Sequence, residues 1–156
     1  MSKVNPVPAG HSPLVPQLAA KDCVKAIAFY KEAFGATEDF RLVEASGKVG
    51  HAELRIGGAL FNLADEYPDY GCLSPESIGG NPVKFQLYVV DVDTAVERAV
   101  SAGATLVRPL RNEFYGDRTA TIADPFGYLW KLSSRVEEVP PSEMQARWNR
   151  ILAGGS

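Results

Sequence analysis

GYLWKLS, residues 127–133, repeats GALFNLA, residues 58–64: the glycine and both leucines are identical, and Trp130 stands where the first copy has Phe61. Working back from each stretch, the agreement continues. The tripeptide Gly35-Ala36-Thr37 returns as Gly103-Ala104-Thr105. Each follows a segment with apolar residues at helical spacing, Asp22–Phe34 (Val24, Ile27, Ala28, Phe34) and Asp93–Ala102 (Val96, Ala99, Val100). Asp22, and Asp91 or Asp93, suit the N-cap, and the glycines suit the position just past the last turn. Ahead of the helices run two apolar strands, VPQLAAKD (15–22) and KFQLYVVD (84–91), with Gln17 matching Gln86 and Leu18 matching Leu87. Three matches in one order at similar spacing predict two copies of strand–helix–strand–strand–strand, over about residues 13–64 and 83–134.

Composition bounds the function. The chain has 156 residues, 46% of them hydrophobic and 22% charged, with net charge −3. That length predicts one domain with a real core. A mildly acidic chain without a Lys/Arg cluster argues against nucleic acid and against an anionic membrane surface. No apolar run approaches the roughly 18 residues of a membrane span. The start, MSKVNPVPAGHSPLVPQ, lacks the apolar centre of a signal peptide, and its prolines predict an extended arm over residues 1–12. The two cysteines, Cys23 and Cys72, predict no disulfide framework and a reducing, cytoplasmic setting.

Between the copies lies DEYPDYGCLSPESIGGNP (65–82), longer than an ordinary connection and therefore expected to be a functional lid or a disordered linker. Beyond Pro140-Pro141 a short helix, about 142–152, carries Met144, Trp148 and Ile151 on one side, for packing on its own body or on a sister subunit.

The tandem βαβββ pattern, with DCVKAIAFYKEAFGAT in the first copy and DPFGYLWKL closing the second, resembles the vicinal oxygen chelate superfamily, which includes glyoxalase I, bleomycin-resistance proteins and extradiol dioxygenases. HAELRIGG, the following ADEYP, SPES with its later Gly-Gly, and FYGDR before DPFG look closest to a glyoxalase-like branch named after phosphonate operons. The resemblance covers roughly residues 13–145. It implies an α+β fold of tandem βαβββ modules whose curled mixed sheets surround a cavity, in a single domain over residues 13–156, and it implies a homodimer.

In the metal-dependent members each copy supplies two ligands, one early in its first strand and one in its last. The matching positions here are Val15 and Lys84, then Asn62 and Lys131; a two-residue slip substitutes Gln17 and Gln86. A divalent cation needs neutral or anionic donors, and an ammonium repels it. No metal or other cofactor is therefore expected, and the family's metal site is not carried over.

The remaining polar residues define the candidate site. In GHAELRI, Ala52, Leu54 and Ile56 alternate with His51, Glu53 and Arg55, so the latter face the concave side, with Asn62 nearby. His51 and Glu53 are the candidate catalytic residues, as a general base and its orienter or as ligands of a shifted metal site; a polar cavity wall is the alternative. Candidate ligand-binding residues are Gln17, Arg55, Asn62, Lys84, Gln86, Tyr88, Tyr115, Arg118 and Lys131. Arg118 suits a carboxylate or phosphate, or else pins a loop. Asp124-Pro125-Phe126-Gly127 reads as a structural turn, and Trp130 as core. Lys84 and Lys131 stand in for the positive charge of a metal, pairing with Glu53 when no anionic ligand is bound. The function expected is binding of a small polar or anionic organic compound. The alternative is a metal-dependent lyase, isomerase or dioxygenase with an altered ligand set.

Overall fold

The computed structural model of the chain describes residues 4–155. Two compact units divide between Asn81 and Pro82, and each holds one copy of the repeat. The first contains β1 (Gln17–Ala20), α1 (Cys23–Phe34), β2 (Thr37–Val43), β3 (Val49–Ile56) and β4 (Ala59–Asp65). The second contains β5 (Lys84–Tyr88), α3 (Val92–Ser101), β6 (Thr105–Asn112), β7 (Asp117–Ala123) and β8 (Leu129–Arg135). Their sheets have the same order, β1-β4-β3-β2 and β5-β8-β7-β6, with a parallel first pair and antiparallel neighbours thereafter. This is the expected α+β tandem βαβββ fold.

Each helix forms where the sequence supplies a cap and a buried stripe. Asp22 accepts from Lys25 N at 3.0 Å to open α1, and Gly35, at φ 66°, closes it. Asp91, not Asp93, caps α3, accepting from Thr94 N. The buried stripes differ from the expected ones by a rotation of each helix. Cys23, Ala26, Ile27, Tyr30 and Ala33 are buried on α1, whereas Val24 and Ala28 are exposed; on α3 Val92, Val96 and Ala99 are buried and Val100 is exposed. On α1 the wider stripe joins the helix to the aromatic cluster of Tyr30, Phe29 and Phe61. Full burial of Leu54 or Leu63, each at 1% exposure or less, contributes about 1.5–3 kcal/mol relative to exposure.

The first strands are shorter than expected, four and five residues, because each turns off its sheet before the helix cap. The 65–82 connection is organised rather than loose. β4 extends through Asp65, a 3-10 turn spans Pro68–Tyr70, and a single helical turn, α2 (Pro75–Ile78), is capped by Ser74. Asp65, buried, bonds Cys23 N at 2.8 Å and Val49 N at 2.7 Å, which ties the start of this connection to α1 and β3. The C-terminal helix, α4 (Pro141–Leu152), has no buried residue, and Trp148 and Ile151 stay close to half exposed. Among the described residues no helix is long and apolar enough to cross a membrane.

Candidate functional site

The second unit builds one face of its sheet into a cavity of about 240 Å³. The lattice of paired strands dictates the lining. Gln86, Lys131, Thr121 and Arg108 are register partners in turn across β5, β8, β7 and β6; the next row is Tyr88, Ser133, Thr119 and Arg111. Partners in register point to the same side. Ala120, Ile122, Trp130 and Leu132, on the opposite face, are buried with α3. Lys84, Arg108, Arg111 and Lys131 therefore stand around the cavity with Thr119 and Thr121, Pro109, Phe114 and Tyr115 complete a less polar side, and Glu113 is its acid.

Arg108 and Arg111 are three residues apart, so simple alternation would send them to opposite faces. A register shift puts three β6 steps against two β7 steps, pairing Arg108 with Thr121 and Arg111 with Thr119. This bulge, with Pro109 inside it on an edge strand, turns both guanidinium groups to one side. Neither arginine was reached from the sequence, since TLVRPLRN carries no clean alternation. The Arg-Pro within a strand is the signal that would have found them.

Glu113 accepts from Arg111 Nε at 2.7 Å and from Thr119 Oγ1 at 3.0 Å. Burial opposes its ionisation, but those two hydrogen bonds and the nearby Arg111 and Lys131 charges outweigh it and hold the carboxyl below its usual range. Lys131 Nζ donates to Tyr115 Oη and lies 4.7 Å from the centre of the Tyr115 ring. The lysine on the apolar strand thus uses a phenol and its ring face, within its own unit. The expected partner, Glu53, belongs to the first unit and has partners there.

In the first unit, Gln17, Asn62, Glu53 and Phe40 form the row corresponding to Gln86–Arg108. Its chemistry is different. His51 Nε2 and His11 Nε2 each lie 3.5 Å from Glu53 Oε1. Arg55 donates to Asp39 Oδ2 at 2.8 Å and to Gly10 O at 3.0 Å. The arm is thereby drawn over this face. Asn62 Oδ1 is buried without a hydrogen-bond partner among the described residues, and Gln17 is exposed.

Of the remaining candidates, Gln86 donates to Ser133 Oγ at 3.1 Å. Tyr88 donates to Asp117 Oδ2 at 2.7 Å, and that bond holds its hydroxyl protonated above its ordinary range. Arg118 is on the helix side of β7, where it grips Asp93 with two bonds of 2.8 and 2.9 Å and pins the start of α3. It is not among the residues that line the cavity. Asp124 accepts from Phe126 N, Tyr128 N and Trp130 Nε1, fixing the turn and the buried tryptophan.

The family's metal does not fit these residues. The register sets Gln17 beside Asn62 and Gln86 beside Lys131, so these positions offer amides without a carboxylate, imidazole or thiolate, and a cation that repels a metal. Among the described residues no group of three or more His, Cys, Asp or Glu converges to seat a metal ion, the His11–Glu53–His51 contacts included.

Two four-stranded mixed sheets with this repeated order define a glyoxalase-type α+β protein. The family model described as Glyoxalase/Bleomycin resistance protein/Dioxygenase superfamily matches residues 13–132, and the chain belongs to that superfamily. It is 43% identical over 136 residues to an uncharacterised protein of Mycobacterium bovis, covering 85% of this chain and 90% of that one. The crystal structure of TioX from Micromonospora sp. ML1 superposes with a TM-score of 0.62 at 28% identity, over 81% of this chain and 100% of TioX. The structure of an Arabidopsis thaliana gene product superposes with a TM-score of 0.63 at 29% identity, over 79% and 98% of the two chains.

Proposed function

We propose that this protein binds a small anionic organic compound in the cavity of its second unit, without the metal tetrad of its metal-dependent relatives. One observation carries the reading: Lys84, Arg108, Arg111 and Lys131 surround a single cavity whose acid is Glu113. Gathered cations repel one another, and an anionic group accepted among them relieves that repulsion while taking charge-assisted hydrogen bonds. Isothermal titration of carboxylates and phosphates against neutral analogues, at low and high salt, tests it. Lys131→Met weakens anionic compounds by about tenfold and neutral ones little. Equal loss for both sinks the idea.

The second reading is a metal-dependent lyase, isomerase or dioxygenase with an altered ligand set, in which His51 is a general base oriented by Glu53. The 3.5 Å approach of the two supports the acid–base pair of this reading and leaves its metal to ligands outside them. Metal content of protein purified without chelator discriminates: a stoichiometric transition metal supports the enzyme. We further place the chain in the glyoxalase-like branch named after phosphonate operons, as a cytoplasmic homodimer with no nucleic-acid or membrane partner. HAELRIGG and FYGDR support the branch, and the half-exposed Trp148 and Ile151 of α4 support the dimer. A monomer mass by light scattering across concentrations refutes the dimer.

A further inference from the structure

We infer that the ligand of this cavity is an aromatic anion, a flat ring bearing an acidic oxyanion group, and that α4 shapes the wall that selects it. This rests on the anion-binding reading above and narrows it.

A site for a simple inorganic anion needs cations and hydroxyls alone. This one adds a second surface. Phe114 and Tyr115 both line the cavity, with ring centres 5.1 Å apart and planes at 89°. Two perpendicular ring faces at one mouth match a flat ligand, which stacks on one and meets the edge of the other. A neutral ring would leave the excess of four cations over the single acid Glu113 unanswered, and a bare anion would leave the rings unused. A ring carrying an oxyanion satisfies both.

The rings are held from behind. Phe114 stacks on Trp148 of α4, centres 5.4 Å apart at 29°. Arg147, one residue earlier, donates to Phe114 O at 3.0 Å and grips Glu137 at 2.6 and 2.9 Å. The turn itself is closed by Glu113 N to Asp117 O, 2.7 Å, and by Val136 N and Glu137 N to Gly116 O. Trp148 and Arg147 are thus positioning residues, acting through Phe114. Tyr115 supplies the exchange on binding. Its ring face and hydroxyl now engage Lys131, and an oxyanion that draws the ammonium away leaves both for the ligand.

Titration calorimetry on the full chain with benzoate, phenyl phosphate, acetate, inorganic phosphate and benzamide tests the inference. Benzoate is expected to bind about tenfold tighter than acetate, and phenyl phosphate about tenfold tighter than phosphate. Their relative affinities show whether carboxylate or phosphate is preferred. Trp148→Leu substitutes no residue that lines the cavity and frees Phe114 from its stack; it is expected to shrink the aryl preference several-fold with phosphate affinity unchanged, a ratio that a merely structural role does not move. If acetate equals benzoate and phosphate equals phenyl phosphate, the aromatic inference is overturned while anion binding stands. If benzamide matches benzoate, or no anion binds, both readings fall. An aryl preference untouched by Trp148→Leu overturns the part assigned to α4.

Discussion

His11 lies against Glu53, its Nε2 3.5 Å from Oε1, although 42 residues separate them in the chain. Together with the Arg55–Gly10 bond of 3.0 Å, this contact lays the arm across the polar face of the first sheet. Arg55→Ala removes the bond to Gly10 and leaves Ala52, Leu54 and Ile56, on the opposite face, to keep the fold. A partly exposed contact of this kind is worth up to about 1 kcal/mol, or roughly fivefold in local opening. Amide exchange at His11, whose N–H bonds Pro8 O at 3.1 Å, should quicken by about that factor. Unchanged exchange would show that the arm is held elsewhere.

On the proposed function, Arg108 serves binding and Arg118 scaffolding. Arg108 lines the cavity, whereas Arg118 is committed to Asp93. Arg108→Ala is expected to weaken benzoate or phosphate by about tenfold with little change in Tm. Arg118→Ala is expected to lower Tm by a few degrees, through release of the α3 start, and to leave anion affinity unchanged. The reverse pattern by calorimetry and thermal unfolding would refute this division of roles.

The fold was legible because its decisive signals are local and doubled. Gly35 and Gly103, Asp22 and Asp91, and the GALFNLA/GYLWKLS pair repeat the same chemistry at matching points. His51, Glu53 and Arg55 were placed on one face by alternation alone, and the structure puts Ala52, Leu54 and Ile56 behind them. The site was less legible, since its parts depend on non-local or irregular geometry. Alternation fails at the Arg108–Arg111 bulge. Nothing in the chain announces that Tyr115 will meet Lys131, or that His11 will reach Glu53. Arg118 was ambiguous because a guanidinium suits an internal carboxylate as well as a ligand, and alternation cannot foresee that Asp93 comes within reach.

Glu66 makes the connection after β4 sensitive to acid. Its Oε1 accepts from Ser74 N at 2.7 Å, and bonds from Ser74 and Ser77 lower its carboxyl from an ordinary 4.5 to about 2. Since the folded value lies below the unfolded one, the contribution is complete above about pH 4.5 and is lost as pH falls through about 2. Amide protection across residues 66–79 should decline in that window, and Glu66→Gln should remove the dependence there. A carboxyl titrating near 4.5 by carbon-detected NMR would contradict it.

Gly116 joins the fold to the cavity, and its substitution should damage both. It holds φ 98°, a conformation open to glycine and costly for L side chains, and a Cβ there would run into Glu137 O and lie 3.0 Å from Val139 Cγ2. The obstructing atom is backbone, in the segment that leads to α4, so neither partner can yield by rotating a side chain. Gly116→Ala must then either open the Glu113–Asp117 turn or push residues 137–139 away. The backbone strain alone costs about 1–3 kcal/mol. Opening the turn would also shift Phe114 and Tyr115 from the cavity mouth and loosen the Phe114–Trp148 stack. Urea unfolding should report the loss of stability, and anion titration of the variant at a temperature where it remains folded should report weaker aryl binding. Wild-type stability in Gly116→Ala would mean that the 137–139 segment has room to move, and the account of a rigid turn would be wrong.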